Sequence, residues 1–298
     1  MKLANHAGRL ALVVDGGIVD VHEASGGRLG PDPAAAYERW DELRAWAADV
    51  EAAGADALVT RPLDEARLGA PSPTPRQVFA IGLNYADHAA ESGMEVPAIP
   101  AVFTKFPACL TGPFDPIVLS GPMVDWEVEL VVVIGRTADR VDEAHGWDHV
   151  AGLTVGQDVS DRHVQFAAGG QFSLGKSYRS FAPTGPWLVT PDELDDPDDL
   201  GIRCSIDGEV VQDGRTSGLV LGVPRLVAEL SAVVPLLPGD LIFTGTPAGV
   251  GIGRKPPRFL QAGEVVESWI EGIGTMRNAV VAPEVAAAGG DPGRVTPG

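Results

Sequence analysis

Three acidic residues stand at alternate positions just before a run of aliphatic residues. They are Asp125, Glu127 and Glu129, and the aliphatic run covers residues 130–134. Side chains of a β-strand point alternately to its two faces, so a single strand would place all three carboxylates on one face. Burying carboxylates without a proton or a cation costs several kcal/mol, which favours a bound divalent metal. Oxygen ligands indicate Mg²⁺, Mn²⁺ or Ca²⁺ rather than Zn²⁺, and a solvated edge strand with surface acids is the alternative.

A histidine and a glutamate three positions apart have the chemistry of a general base. His88 and Glu91 follow a predicted strand, and on a helical turn their side chains would face the same way. A carboxylate beside an imidazole orients it and raises its basicity, so that the imidazole can activate water. An ordinary surface pair is the alternative. Further along, Asp158 and Asp161 follow an apolar segment, and each is either a third acid for a metal site or the cap of a turn.

Two glycine-containing segments suggest anion binding. Residues 170–177 fit the phosphate-loop pattern G-x-x-x-x-G-K-[ST], but no strand is predicted before them and no helix after them, which argues against nucleotide binding. Lys176 in this segment is either a solvated cation or a positive charge that neutralises the acids or stabilises an enolate. Residues 245–253 form a turn-rich loop whose backbone N–H groups and Thr246 hydroxyl suit a small carboxylate, or an ordinary turn without a ligand.

The first part of the chain predicts a small α/β unit. Residues 10–14 and 18–21 are mainly apolar or β-branched and flank Asp15-Gly16-Gly17, which indicates a hairpin. Asp32 is the predicted cap of a helix, with apolar residues at helical spacing as far as Gly54.

Beyond this part the predicted elements are mostly strands. Residues 69–75 are rich in proline, so we expect a boundary there between a small N-terminal domain, residues 1–70, and a catalytic domain, residues 71–283. Residues 284–298 contain almost no large apolar residue and predict a disordered tail. The predicted elements are strands at 78–83, 102–106, 117–119, 128–134, 150–155 and 241–244, a hairpin across Asp207-Gly208, and a helix at 223–234.

Composition excludes several classes of partner. The 298 residues are 45% hydrophobic, as in an ordinary globular protein, and carry a formal net charge of −19. Such a charge repels a phosphate backbone, so we expect no nucleic-acid partner. Cys109 and Cys204 lie far apart, which favours a reducing, cytoplasmic location. We expect no membrane partner, because no segment reaches the ~18 apolar residues of a bilayer span and the N-terminus lacks a signal-peptide pattern.

Several short motifs occur in a fixed order along the chain. They are Gly82-Leu83-Asn84-Tyr85-Ala86-Asp87-His88, Asp125-Trp126-Glu127-Val128-Glu129-Leu130, Asp158-Val159-Ser160-Asp161-Arg162, Gly175-Lys176-Ser177, Pro183-Thr184-Gly185-Pro186, Pro238-Gly239-Asp240 and Gly245-Thr246-Pro247-Ala248-Gly249-Val250-Gly251. In these motifs residues 78–281 resemble the fumarylacetoacetate hydrolase superfamily, and in particular its acylpyruvase-like and 2-hydroxyhepta-2,4-diene-1,7-dioate isomerase-like members. The resemblance implies a β-rich α+β fold, with a mixed β-roll catalytic domain, a small N-terminal α/β domain and usually a homodimer.

The resemblance also implies which acids bind the metal. By this resemblance Glu127, Glu129 and Asp158 are the ligands of Mg²⁺ or Mn²⁺, with Ca²⁺ as a substitute in crystals. Asp125 and Asp161 would then support these ligands or form turns.

The remaining site residues follow from the same resemblance. His88 and Glu91 correspond to the family's pair on a short lid helix, and Lys176 corresponds to its active-site lysine. The residues that would contact the substrate are Tyr85, Gly245 and Thr246.

The implied function is metal-dependent hydrolysis of a carbon–carbon bond. The substrate would be a small 2-oxo or 2,4-dioxo acid such as an acylpyruvate, cleaved through a metal-bound enolate. Decarboxylases, hydratases and isomerases of the oxaloacetate or hydroxymuconate type share that enolate and are the alternative. A non-catalytic binder of dicarboxylates would lack the base or the lysine, and both are present here. Four aromatic residues shape the acyl pocket or belong to the core: Phe166, Phe172, Tyr178 and Phe181.

Overall fold

The computed structural model describes residues 1–15, 17–54, 61–91, 99–167 and 169–283. Gly16, in the predicted hairpin turn, and the predicted tail at 284–298 lie outside the described residues. The fold is mixed α/β and rich in strands, which confirms the predicted class. The strands are β1 (Lys2–His6), β2 (Arg9–Val14), β3 (Gly17–Asp20), β4 (Leu68–Gly69), β5 (Val78–Gly82), β6 (Ala101–Thr104), β7 (Leu110–Thr111), β8 (Ile117–Val118), β9 (Val124–Asp125), β10 (Val128–Ile134), β11 (Val150–Gln157), β12 (Ser160–Asp161), β13 (Ala182–Val189), β14 (Gly201–Ile206), β15 (Glu209–Arg215), β16 (Leu241–Phe243), β17 (Val265–Ile270) and β18 (Gly274–Val281).

Short helices connect these strands. The helix predicted from Asp32 begins later than expected, because Ala34–Arg39 form a 3₁₀ helix and the backbone of Arg39 leaves the helical region, with φ −123° and ψ 34°. The α-helix that follows ends before Gly54, whose φ is +83°. The helices are α1 (Val21–Ala24), α2 (Trp40–Ala53), α3 (Ala86–Glu91), α4 (Arg162–Ala167) and α5 (Val223–Ser231).

Strand β10 is the centre of the site-bearing sheet. Within the described residues this sheet has eleven strands, and its order includes β1-β13-β11-β10-β16-β5-β6. Strand β10 pairs antiparallel with β11 on one side and with β16 on the other, and every one of its residues is buried. A continuous aliphatic sequence is typical of a strand covered on both faces. The alternative prediction of a solvated edge strand is therefore wrong.

A second sheet covers the first. Its order is β15-β14-β17-β18-β8, and β14 and β17 contact β10 and β11. The predicted hairpin across Asp207-Gly208 joins β14 to β15, with φ +50° and +83° at the two turn residues. Such positive φ values at both positions match a two-residue turn with Asp-Gly. One apolar cluster extends through both sheets.

The N-terminal residues share the large sheet with the rest of the chain. Strands β2 and β3 form the predicted first hairpin, and β1 pairs with both β2 and β13. The division into domains 1–70 and 71–283 stays a prediction. Residues 170–177 contain turns but no strand or helix, so the described segment lacks the strand and helix of a phosphate loop. None of the described helices is long and apolar enough to cross a bilayer.

Candidate active site

Three buried carboxylates converge where β10 begins and β11 ends. Glu129 lies in β10, Glu127 directly precedes that strand, and Asp158 follows Gln157, the last residue of β11. The pairing of β10 with β11 sets Val128 opposite Gln157, and Asp158 N donates to the Glu127 carbonyl oxygen over 2.9 Å. One carboxylate oxygen of each acid lies within 4.8 Å of the others. The sheet thus brings together the three acids that were predicted as metal ligands.

Asp125 does not belong to the strand that carries Glu129. It ends β9, which pairs with β12, whereas β10 pairs with β11. The prediction that Asp125, Glu127 and Glu129 occupy one face of a single strand is therefore wrong. The Asp125 carboxylate instead accepts hydrogen bonds from the backbone N–H groups of residues 251–252 and from the Arg162 guanidinium.

Two buried lysines neutralise part of the acid cluster. Lys176 Nζ lies 2.7 Å from Glu127 Oε2 and 2.6 Å from Asp158 Oδ2. Lys105 Nζ lies 2.6 Å from Asp158 Oδ1, and its side chain is fully buried. Lys176 is 3% exposed, so the alternative that it is a solvated cation is wrong. Both ammonium groups are tolerated in the interior because each is paired with a carboxylate.

Arg162 joins Asp125 to the acid cluster. Its Nε lies 2.8 Å from Asp125 Oδ2, and its Nη1 lies 2.7 Å from Glu127 Oε1 and 2.8 Å from Gln165 Oε1. Its Nη2 is buried and has no hydrogen-bond partner among the described residues. Arg162 also lines the cavity, so its guanidinium adds positive charge to the cavity wall.

The acids differ in how strongly their charge is stabilised. Burial alone would raise the pKa of Glu127, but the positive charges of Lys176 and Arg162 lower that pKa to about 2. Burial, together with the negative charges of Asp158 and Glu127, raises the pKa of Glu129 well above its ordinary value. The Glu129 carboxylate accepts a hydrogen bond from a backbone N–H over 2.8 Å and forms no ion pair within the described part of the chain.

A divalent cation fits this cluster. Three buried carboxylates, one of them without a cationic partner among the described residues, form the oxygen donor set that Mg²⁺, Mn²⁺ or Ca²⁺ prefers. Glu127, Glu129 and Asp158 are the residues that would hold the ion. The ion would supply the positive charge that the surroundings of Glu129 lack.

His88 and Glu91 lie on α3 and line the same cavity as Glu127 and Glu129. His88 Nδ1 is 3.7 Å from Glu91 Oε2, which is longer than a hydrogen bond, and it is buried without a hydrogen-bond partner in the described residues. Glu91 Oε2 accepts a hydrogen bond from Gly249 N over 3.0 Å. Burial would raise the pKa of Glu91, but His88 and the Gly249 N–H lower it below its ordinary value. The structure therefore places this pair in the cavity wall, not on the open surface.

The residues predicted to contact substrate occupy different positions. Thr246 lines the cavity, and its hydroxyl donates to a backbone carbonyl of β10 over 2.8 Å. Gly245 holds Glu129 through its backbone N–H; its φ is +105°, and a Cβ there would lie 2.9 Å from the Asn84 Cβ. Tyr85 is 2% exposed and is not among the described residues that line the cavity. Burial raises the pKa of its hydroxyl.

The cavity has a volume of about 190 Å³ and one aromatic wall. Phe103 packs edge to face on Phe172, with ring centroids 5.8 Å apart, and Phe166 packs on Phe172 at 6.2 Å. Neither Tyr178 nor Phe181 is among the described residues that line the cavity; Phe181 is a core residue, and Tyr178 packs on it at 5.3 Å. The lining residues are His88, Glu91, Glu127, Glu129, Arg162, Gln165, Lys176 and Thr246 among the polar ones, with Ile81, Gly82, Leu83, Phe103, Phe166, Phe172, Ile252 and Gly253.

Three residues of the site were not predicted from the sequence: Lys105, Arg162 and Gln165. A lysine in the apolar segment around Lys105 was a usable signal, since a buried lysine requires an acidic partner. Arg162 stood within a recognised motif without a function. Asp161, predicted to support the ligands or form a turn, accepts hydrogen bonds from Ser120 Oγ over 2.6 Å and from a backbone N–H of α4 over 3.1 Å.

Comparison with known proteins identifies the family. Residues 77–281 match the family model described as the C-terminal domain of fumarylacetoacetate (FAA) hydrolase. The chain belongs to the fumarylacetoacetate hydrolase family. A solved HpcE-like protein of this fold from Mycobacterium smegmatis is 49% identical, and the match covers 95% of this chain and 99% of that chain with a TM-score of 0.87.

Two further relatives of this fumarylacetoacetate hydrolase family member have specific activities in their names. Maleylpyruvate hydrolase from Sphingobium sp. SYK-6, solved with manganese(II) and pyruvate, is 32% identical, with coverage of 95% and 100% and a TM-score of 0.78. A mitochondrial oxaloacetate tautomerase from Xenopus laevis is 45% identical over 215 residues, which are 71% of this chain and 67% of that protein. The relatives thus include both a hydrolase and a tautomerase.

Proposed function

We propose that this chain is a divalent-metal-dependent hydrolase that cleaves a carbon–carbon bond in an acylpyruvate or a related 2,4-dioxo acid. The observation that supports this most is the composition of one cavity, which contains the His88–Glu91 pair, two acids of the buried cluster and Lys176. Such a reaction needs a base for water, a Lewis acid for the 2-oxo group and a positive charge for an enolate. The cavity has residues suited to each task.

Three carboxylates and one loop would bind the pyruvoyl end of the substrate. Glu127, Glu129 and Asp158 would hold Mg²⁺ or Mn²⁺, and the bound ion would polarise the 2-oxo group as a Lewis acid. The Thr246 hydroxyl already donates to a backbone carbonyl, so its backbone N–H is the better donor for the substrate carboxylate. The pyruvate bound in the maleylpyruvate hydrolase structure supports a 2-oxo acid as ligand.

The remaining residues would carry out the proton transfers. His88 would take a proton from water, with Glu91 orienting its ring, and the water oxygen would attack the distal carbonyl carbon. The positive charge of Arg162 in the cavity wall would stabilise the carbonyl oxygen under attack. The adjacent carbon–carbon bond then breaks, which gives a carboxylic acid and a pyruvate enolate. Lys176 retains one N–H beyond the two that its carboxylate partners use, and this donor would stabilise the enolate oxygen until His88 returns the proton to carbon.

A second candidate is keto–enol tautomerisation of oxaloacetate. The 45% identity with the Xenopus laevis tautomerase favours it. Tautomerisation moves one proton between carbon and oxygen, so His88 and Glu91 would suffice without attack by water. The broader alternatives of decarboxylase, hydratase or another isomerase stay predictions, as do a homodimer and a cytoplasmic location.

A substrate panel tests the proposal. Acylpyruvates and oxaloacetate are incubated with Mg²⁺, Mn²⁺ or a chelator, while loss of enol absorbance and formation of pyruvate are followed. We expect one pyruvate and one carboxylic acid per acylpyruvate consumed, and no turnover with chelator. Turnover of oxaloacetate alone, without pyruvate, would favour the tautomerase. His88→Ala should lower turnover by ~10²- to 10⁴-fold. His163→Ala, the same change at an exposed histidine, should not.

A further inference from the structure

We propose that Asp125 is a positioning residue that fixes the loop at 249–253 beneath Glu91 and thereby sets the position of Glu91 beside His88. This inference rests on the proposed function only in that Glu91 orients a catalytic base. Asp125 is not among the described residues that line the cavity, so it would act through the loop and not on the substrate.

Asp125 makes unusually many hydrogen bonds for one buried side chain. Its Oδ1 accepts from Gly251 N over 2.7 Å and from Trp126 N over 2.8 Å. Its Oδ2 accepts from Ile252 N over 2.9 Å and from Arg162 Nε over 2.8 Å. The side chain is fully buried. A carboxylate has about four acceptor sites, so these four donors use its whole capacity.

The loop that Asp125 holds at its centre supports Glu91 at both ends. At one end Gly249 N donates to Glu91 Oε2 over 3.0 Å. At the other end Gly253 contacts the same side chain so closely that an added Cβ would lie 2.6 Å from Glu91 Cδ. A shift of the loop must therefore move the Glu91 carboxylate, and misplacement by about 1 Å typically lowers a catalytic rate by ~10²-fold.

Asp125→Asn is an informative change because it keeps the size of the side chain. An amide has one oxygen, which can still accept from two N–H groups. Its nitrogen is a donor and would face the N–H groups of Ile252 and Arg162, so these two contacts of the side chain become repulsive.

A double-mutant cycle with Glu91→Gln tests the coupling, using the substrate of the panel that turns over fastest. We expect Asp125→Asn to lower kcat by ~10- to 100-fold with KM nearly unchanged, and to lower it less than about twofold further in the Glu91→Gln background. Asp20→Asn removes another buried carboxylate, which accepts hydrogen bonds from Arg9 Nε and Glu23 N and has no part in the site, and it should leave kcat within about twofold. An equal loss in both backgrounds would overturn the proposal, since Asp125 would then act through Arg162 or through general stability.

A second variant, Gly253→Ala, displaces Glu91 directly and leaves Asp125 unchanged. Gly253→Ala would push the flexible Glu91 side chain while Asp125 keeps its four hydrogen bonds. It should lower kcat as Asp125→Asn does, and a wild-type kcat would overturn the proposal even if Asp125→Asn fails to fold.

Amide hydrogen exchange gives a readout that needs no substrate. Asp125→Asn should speed exchange in peptides covering residues 249–253 and also in those covering 86–91, whereas Asp20→Asn should change neither. If exchange at 86–91 stays at the wild-type rate, the proposal is wrong whatever the substrate. If no compound in the panel turns over, the proposed function fails and exchange alone decides this inference.

Discussion

Glu129 should destabilise the protein whenever no divalent ion is bound. Its carboxylate is 1% exposed, faces two other acids, and forms no ion pair within the described residues. We therefore expect Glu129→Gln to raise the stability of the chelator-treated protein. The amide oxygen keeps the hydrogen bond from Gly245 N, while its two N–H groups become donors to the neighbouring carboxylates of Glu127 and Asp158.

The size and pH dependence of this effect follow from the burial. A buried polar or charged group without a partner costs ~1–3 kcal/mol, which corresponds to roughly 2–10 °C in Tm for a chain of this size. The pKa of Glu129 is raised in the folded protein above its ordinary value of 4.5. The protonated side chain is therefore tolerated in acid, and stability is lost as pH rises through the folded pKa. The advantage of Glu129→Gln should be absent near pH 4 and should grow with pH.

Thermal melts from about pH 4 to pH 8, with chelator and with Mn²⁺, test this reasoning. Mn²⁺ should raise the Tm of the wild type and should raise that of Glu129→Gln much less, because one ligand is missing. Glu267→Gln changes a half-exposed glutamate on β17 and should shift Tm by less than about 1 °C at every pH. If Glu129→Gln is no more stable than wild type at pH 8 in chelator, the ionised Glu129 carboxylate does not destabilise the metal-free protein and the reasoning is wrong.

Three further predictions concern the rest of the site. His88→Ala should lower kcat by ~10²- to 10⁴-fold in steady-state assays yet keep the Mn²⁺-induced rise in Tm, and loss of that rise would mean a structural role. Lys105→Met leaves Asp158 short of one buried cation and should lower the free energy of unfolding by ~3–5 kcal/mol in denaturant titrations. As a control, Arg44→Met breaks an exposed ion pair and should lower the free energy of unfolding by less than ~1 kcal/mol. Equal losses in Lys105→Met and Arg44→Met would contradict the expected cost of an unpaired buried charge. Phe172→Ala removes a ring from the apolar wall and so enlarges the cavity. It should raise kcat/KM for long-chain acylpyruvates, relative to kcat/KM for short-chain ones, by ~10-fold, and an unchanged ratio would refute this.

Local patterns in the sequence were sufficient to predict much of the site. Glu127 and Glu129 stand at alternate positions just before a continuous aliphatic run, and His88 and Glu91 have the spacing of a helical turn, so each pair follows from neighbouring residues alone. Hairpins with glycine in their turns were predicted for the same reason. The interruption between β9 and β10 was not, because it depends on which distant strand each segment pairs with.

Two of the three cations that the described residues contribute to the site, Lys105 and Arg162, were not placed from the sequence. Lys105 pairs with Asp158 across 53 positions, and Arg162 pairs with Asp125 across 37. No local rule links such residues, since their proximity is created by the sheets. Strand β13 was missed because Pro183, Gly185 and Pro186 are typical of turns, although here they lie in a strand.

The two parts of the cavity should differ in their resistance to local unfolding, because one is built on β10 and the other on α3. This strand has a partner on each side and is buried along its whole length, so its amides should become accessible only when the whole domain opens. Helix α3, with six residues, follows β5 near the border of the sheet and should open at much lower free energy. The acids would therefore stay assembled through excursions that release His88 and Glu91. Substrate could then enter and product leave from that side while an ion remains bound.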